Sequence, residues 1–203
     1  MKEISISPPY PFTYLCIKRA MDYLLSGLFL LIFSPLMLLI SVGIKLASAG
    51  PVVIRQHRIG KNGQPFDMLK FRSMHDHSSE QPHIEHARRV ILENLGPQDL
   101  RLRSLKIQPD PRIFRFGRFI RRFGLDELPQ FVNVLRGEMS LVGPRPPMAY
   151  EFELYPEAYK QRLATLPGIT GLWQVTAHNL VSYDQMVSID LEYIEQMSFW
   201  LDA

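Results

Sequence analysis

The sequence predicts an α+β protein held at a membrane, and three observations carry that reading. The first is "YLLSGLFLLIFSPLMLLISVGI", from Tyr23 to Ile44, which contains no formal charge. A helix of that length reaches roughly 33 Å, comparable with a hydrocarbon core of about 30 Å. The second is "VVIRQHRIGKNGQPFDMLKFRSM", which reads as two short strands joined at Lys61-Asn62-Gly63, a strong β-hairpin signal. The third is helical spacing farther on: Leu128, Phe131, Val132 and Leu135 after Pro129, then Tyr183, Met186, Val187, Asp190, Tyr193, Ile194 and Met197. With 203 residues the chain has room for one buried domain and an appendage. The division falls at residues 1–50, a lead-in and membrane helix, and 51–203, a small, mainly helical body.

The apolar run is too long, and begins too late, for a signal peptide. No side of it is polar, which favours membrane contact over a buried soluble helix. Pro35 follows Ser34 near its middle, where a proline removes an amide donor and strains the preceding turn, and the Ser34 hydroxyl is placed to satisfy part of the backbone. Lys2, Lys18 and Arg19 precede the run, and Lys45, Arg55, Arg58 and Lys61 follow it. Positive flanks on both sides suit a bent hairpin returning to the cytoplasmic surface, and an ordinary single span also satisfies the charge bias. The β-hairpin would bring Arg55, Arg58 and Lys70 toward that surface.

A net charge of +3 is mildly basic and compatible with nucleotide phosphates, anionic lipid or polyanions. The single cysteine, Cys16, excludes an internal disulfide and a cysteine-rich metal site. Five of the six histidines lie between His57 and His86, without an HExxH pattern. That spacing favours a solvated, variable insertion over a zinc centre. In "DPRIFRFGRFIRRFG", phenylalanines alternate with arginines, as on a helix lying against anionic headgroups. The same interleaving occurs in nucleic-acid binders, but the membrane element tips the balance toward lipid. Trp173 and Trp200 fit interfacial anchoring and core packing equally.

Two acids, Asp126 and Glu127, stand directly before Pro129 and its helix. Amides at a helix start favour ionised carboxylates and phosphates nearby. Adjacent residues do not share a helix face, so the pair suits two jobs: one group attacking, the other holding metal or handling a proton. An acidic helix start is also common without any chemistry. Arg145, between prolines in "LVGPRPP", is held rather than floppy; its guanidinium suits a phosphate, or a nearby acid on a rigid surface loop.

Taken in order, Ser34-Pro35, "KFRSM", "DPRI", "LDELPQFVNVLRGEMSLVGPRP", "PGITGLWQV" and "IDLEYI" resemble the bacterial sugar transferase family, the monotopic phosphoglycosyl transferases. The resemblance covers roughly Ile17 to Asp202. It implies transfer of a sugar 1-phosphate from a UDP-sugar donor to a polyprenyl (undecaprenyl) phosphate acceptor, with release of UMP, initiating glycan assembly. It implies Asp126 as the nucleophile that forms a covalent phosphosugar and Glu127 as the Mg²⁺ ligand. Arg145 would contact the nucleotide, while Lys70, Arg121, Glu138 and Asp190 would line or brace the site. Ser34-Pro35 would be the break of a re-entrant helix-break-helix, making the protein monotopic in the bacterial inner membrane with its body on the cytoplasmic face. Expected partners are the phospholipid bilayer, downstream glycosyltransferases and a second copy of the chain; nucleic acid is not expected. Where many relatives carry a glycine-arginine pair this chain has Ala177-His178, so His178 would put a titratable group where a permanent charge faces phosphate. A noncatalytic membrane scaffold binding anionic lipid or nucleotide is the alternative.

Overall fold

The computed structural model describes residues 12–75, 81–92, 110, 112–176 and 181–203. The proline-rich lead-in before Phe12, the expectations on His77, and Ala177-His178 lie outside the described residues. One long helix, α1 (Phe12–Ala47), precedes an antiparallel hairpin, β1 (Val53–Ile59) and β2 (Pro65–Phe71). The body continues with α2 (Gln81–Leu92), α3 (Arg115–Arg122), α4 (Gln130–Leu135), β3 (Ser140–Val142), α5 (Ala149–Glu153) and α6 (Glu157–Lys160). It ends with β4 (Gly168–Thr170), α7 (Leu172–Thr176), α8 (Tyr183–Gln196) and α9 (Phe199–Asp202).

The 36 residues of α1 make a helix of about 54 Å. It continues through Pro35 without interruption. Proline has no N–H to offer Leu31, and the Ser34 hydroxyl donates to the Leu31 carbonyl instead, at 2.8 Å. The helix is polar inward and apolar outward. Lys18, Asp22 and Ser26, four residues apart on one stripe, are buried against the body, while Leu24, Leu31, Ile32, Leu38, Leu39 and Leu46 are exposed. Water opposes that arrangement and hydrocarbon favours it.

Contacts to the body run from one end of α1 to the other. Near its start, Arg19 Nη1 donates to the Met139 carbonyl at 2.7 Å, the Asp22 carboxylate accepts the Leu141 N–H at 3.0 Å, and Lys18 pairs with Asp202 at 2.5 Å. Midway, Phe29 stacks on Phe131 of α4 with ring centroids 5.1 Å apart. Toward its end, Ile40 and Ile44 join Phe71, Phe114 and Ile120 in one buried cluster. Beyond the last turn, the buried Arg72 guanidinium donates to the Ser48 and Ala49 carbonyls at 2.6 and 2.5 Å, fixing the exit of the chain.

The hairpin forms as its sequence predicts. Asn62 and Gly63 both take positive φ, 57° and 77°, in a short 3₁₀ turn that reverses the chain. Buried Asn133 of α4 clamps β2 from the side: its Oδ1 accepts the Leu69 N–H at 2.9 Å and its Nδ2 donates to the Asp67 carbonyl at 2.7 Å. A second, parallel pair, β3 with β4, joins two glycine-rich loops. Gly143 N–H donates to the Thr170 carbonyl at 2.9 Å, and a Cβ on Gly168 would stand 2.1 Å from the Gly143 nitrogen, so no other residue fits there without moving the loop.

Three expectations need adjusting. The segment taken as a solvated insertion contains α2, whose Val90 and Ile91 pack with Tyr155, Trp173, Tyr183, Met186 and Val187. In α4 the apolar side is not the buried one: Gln130, Asn133 and Val134 face inward, Phe131 meets α1, and Leu135 is exposed. Val134 fills a core with Met68 and Met139, whereas Gln130 and Asn133 are polar because they face the cleft and hold β2, respectively. Trp173 is buried, whereas Trp200 on α9 is 91% exposed. The stripe on α8 is buried as its spacing predicts, from Tyr183 to Ile194.

Candidate active site

The acidic pair sits on a 3₁₀ turn, Leu125–Glu127, between α3 and α4. α3 stops because Gly124 takes φ 67°, the left-handed conformation that ends helices, and its N–H returns to the Arg121 carbonyl at 3.3 Å. This places Arg121, at the end of α3, and Asp126 on either side of one turn. Asp126 is buried at 8% exposure. Burial raises its carboxyl above the ordinary range; Lys70 opposes the rise, Glu127 adds to it and Arg121 opposes it. The expected help from a helix start therefore does not dominate: α4 is only six residues long, and desolvation outweighs it.

Lys70, next to the last residue of β2, donates from Nζ to Glu127 Oε1 at 2.9 Å. Burial pulls the Lys70 ammonium below its ordinary value, against the attraction of Glu127 and Asp126. The two acids thus share one desolvated lysine. An open cleft of about 200 Å³ begins at Lys70 and Glu127 and is walled by Arg58, Gln130, Arg145 and Trp173. Three cations and one carboxylate line it, a composition suited to a polyanion.

Of the residues singled out in the sequence, Lys70, Asp126, Glu127, Arg121 and Arg145 converge here. Glu138 does not: its Oε2 accepts from Asn133 Nδ2 at 2.6 Å, so it braces the residue that clamps β2. Asp190 is also behind the cleft, on α8, where it pairs with Arg162 and both are 1% exposed at the side chain. Burial lifts the Asp190 carboxyl to about 6 despite Arg162, and Asp190 in turn raises the Arg162 guanidinium although burial lowers it. Arg162 also donates to the Tyr155 hydroxyl at 3.1 Å and to the Arg145 carbonyl at 3.4 Å, which ties the buried pair to the cleft loop. Ser34 and Pro35 are in α1, away from the cleft lining, and His178 is outside the described residues.

Arg58 was read only as a flanking charge carried toward the membrane surface, and Arg162 went unmarked in the sequence. Arg58 lies on a hairpin strand whose alternation leaves the covered face open until Ile59 N–H meets the Pro147 carbonyl at 3.0 Å. Instead of facing a surface, it is 4% exposed. Arg162 sits in a short 3₁₀ turn with no periodicity to flag it. Its only linear signal was the helical face carrying Asp190, a lone acid on an apolar stripe that needs a cation.

Among the described residues no three His, Cys, Asp or Glu side chains converge as a metal cage. His57 Nδ1 lies 2.6 Å from Asp67, and His75 packs edge-on against Phe114. Asp126 and Glu127 do fit Mg²⁺, which takes one or two protein carboxylates and completes its shell with phosphate oxygens and water. The Lys70 ammonium on Glu127 marks the place where a cation is wanted.

Comparison with known proteins places the chain among its relatives. The chain is 42% identical to exopolysaccharide production protein ExoY of Rhizobium meliloti, over 91% of this chain and 80% of that protein. It is 39% identical to galactosyl transferase CpsE of Streptococcus agalactiae, over 95% of this chain and 41% of CpsE. It is 40% identical to UDP-glucose:undecaprenyl-phosphate glucose-1-phosphate transferase of Escherichia coli K12, over 92% of this chain and 38% of that enzyme. The chain therefore spans about four fifths of ExoY but only about two fifths of the larger relatives. A family model described as bacterial sugar transferase matches residues 13–203, and with these identities the chain belongs to that family.

Proposed function

We propose that this protein is a polyprenyl-phosphate sugar-1-phosphate transferase, using a UDP-sugar donor and undecaprenyl phosphate as acceptor. The observation that carries the reading is a buried carboxylate, Asp126, beside Lys70 and Glu127, next to a cationic cleft on a body strapped to an outwardly apolar helix. The activity named for the Escherichia coli relative supports the same reaction. In the first half-reaction an Asp126 oxygen attacks the sugar-bearing phosphorus, and the bond to the bridging oxygen breaks, releasing UMP. In the second, a phosphate oxygen of the lipid attacks the same phosphorus and expels the Asp126 carboxylate, leaving polyprenyl diphosphate sugar. Desolvation makes the Asp126 carboxylate a stronger nucleophile than one in water, and Lys70 and Arg121 favour its ionised form against that burial. Glu127, with Asp126, would hold Mg²⁺, which supplies charge neutralisation at the transferring phosphoryl group.

The exposed apolar face of α1 sits in the bilayer, in the bacterial inner membrane, with residues 51–203 on the cytoplasmic side. Re-entry rather than crossing is supported by the body touching α1 near Arg19, Phe29 and Ile44. A body that follows both ends of one helix cannot stay on one side of a bilayer that the helix crosses. The Ser34 hydroxyl on Leu31 lets the helix bend at Pro35 without an orphaned carbonyl. Lipid-bound acceptor and aqueous donor would meet at Asp126 with neither crossing the membrane.

The test is UMP release by the purified chain in nanodiscs, from a panel of UDP-sugars with undecaprenyl phosphate. Donor-dependent UMP and a lipid-linked sugar product are expected. Folded protein that releases no UMP from any donor would replace this reading with the scaffold. The pH profile adds a second prediction. Transfer needs ionised Asp126, so kcat/KM falls as pH drops through its raised value, above the range of an ordinary carboxylate. Lys70 is the leading charge favouring the ionised form. Lys70→Met therefore moves the acid limb farther upward, even at a reduced maximal rate; an unmoved limb would contradict the coupling.

A further inference from the structure

Arg58 is a buried cation that the mechanism above leaves without a task. Its side chain is 4% exposed on β1, yet it lines the open cleft. Nη1 donates to the Pro146 carbonyl at 3.0 Å and Nη2 to Gln56 Oε1 at 3.2 Å, while Nε has no partner. Among the described residues no carboxylate forms an ion pair with it; Glu151, held by the Met148 N–H at 2.8 Å, and Glu127, paired with Lys70, attract it without contact. A buried charge without a contacting counterion is expensive unless a ligand supplies one.

Its neighbours give the sign of that ligand. Arg145, on the same cleft wall, pushes the Arg58 guanidinium down, second only to burial, to about 10. Arg58 in turn acts on Lys70. All three cations line the one cleft with Glu127, and repulsion couples Arg145 to Arg58 and Arg58 to Lys70. Three positive groups on one cleft, repelling one another when it is empty, match a chain of two phosphates better than a single one.

We infer that Arg58 binds the diphosphate of the nucleotide-sugar donor, holding it between Arg145 on the nucleoside side and Lys70 on the side of the attacked phosphorus. This deepens the proposed function and rests on it. Through Pro146 the same guanidinium also holds the loop that presents Arg145, so both cations are set before the donor arrives.

The experiment compares the full chain in nanodiscs with Arg58→Gln and Arg58→Lys. The probes are UDP, inorganic pyrophosphate and, as a control without phosphate, uridine, with kinetics on a UDP-sugar in parallel. Arg58→Gln is expected to weaken UDP and pyrophosphate by about tenfold to a hundredfold, raise donor KM similarly with kcat changed less, and leave uridine unaffected. Arg58→Gln also gives up the hydrogen bond to the Pro146 carbonyl, so thermal unfolding is followed in parallel and affinities are compared on folded variant; loss of stability with wild-type UDP and pyrophosphate affinity would mark a structural clamp and overturn the assignment. UDP and pyrophosphate affinities equal to wild type would overturn the assignment. If Arg58→Gln does not fold, Arg58→Lys decides: it keeps the charge and loses the planar fork. Folded Arg58→Lys with donor KM raised several-fold supports the site, and wild-type KM and pyrophosphate affinity overturn it. If wild type binds both phosphate probes through Arg58 but releases no UMP from UDP-sugars, the diphosphate site stands and the transfer reading falls. Transfer by wild type with an unchanged Arg58→Gln KM leaves the transferase standing and removes the diphosphate site.

Discussion

Asp126→Asn is expected to abolish sugar-phosphate transfer, by about 10⁴-fold or more, while the protein remains folded and membrane-bound. An amide has nearly the shape of a carboxylate but cannot form the acyl phosphate. Its charge is also not needed for the fold: burial disfavours the ionised form of Asp126, so neutralising it removes a desolvation cost. Stability should hold or rise. This pairing of lost turnover with retained stability separates a nucleophile from a structural acid, whose removal would lower both. The measurement is single-turnover UMP release alongside thermal unfolding. Asparagine with more than a few per cent of wild-type UMP release, in a sample treated to exclude deamidation, would remove Asp126 from its role.

The largest stability effect is expected behind the cleft. Arg162→Met should destabilise the body by about 3–5 kcal/mol, because it strands the Asp190 carboxylate where both side chains are 1% exposed. Arg162 also donates to the Tyr155 hydroxyl, whose other contact is Tyr183, so two tyrosines lose their organising cation. The double variant Arg162→Met with Asp190→Leu should recover most of that loss, since it removes the unpaired charge as well. Recovery of stability should not restore the donor KM, because the Arg145 carbonyl still lacks its tie to Arg162. Denaturant unfolding of the single and double variants, with donor KM measured on the double, checks both parts. A single variant as stable as wild type would show that the pair contributes little.

How much of this was readable from the chain depends on whether a residue's role was local. The membrane helix, the Asn62-Gly63 turn and the stripe on α8 are local: periodicity or turn chemistry sets each of them. The acidic pair was visible too, although its surroundings were not. Its position before Pro129 suggested a favourable helix start, whereas folding buries Asp126 and raises its carboxyl. Lys18 and Arg19 read as flanking charges of an apolar run; in the fold they join Asp22 as hooks from α1 to β3, the residue before it and α9. Those partners lie more than 100 residues away, beyond any window of spacing. Arg58 was hidden by its Pro146 partner 88 residues away, and Arg162 by a partner acid 28 residues on that no spacing rule connects to it. The "LVGPRPP" segment was legible as a rigid turn, but its pairing with Gly168–Thr170 through a three-residue parallel ladder exceeds what so short a pattern can encode.

The central claim is that phosphorus is bonded to Asp126 partway through the reaction. It is tested most directly by rapid quench of the protein with a UDP-sugar in the absence of polyprenyl phosphate, followed by peptide mass analysis. A sugar-phosphate mass on the peptide containing Asp126, formed with stoichiometric UMP and removed by adding the lipid acceptor, is the predicted result. Full transfer from donor to lipid, with that peptide unmodified at every quench time and under conditions that trap acyl phosphates, would contradict it.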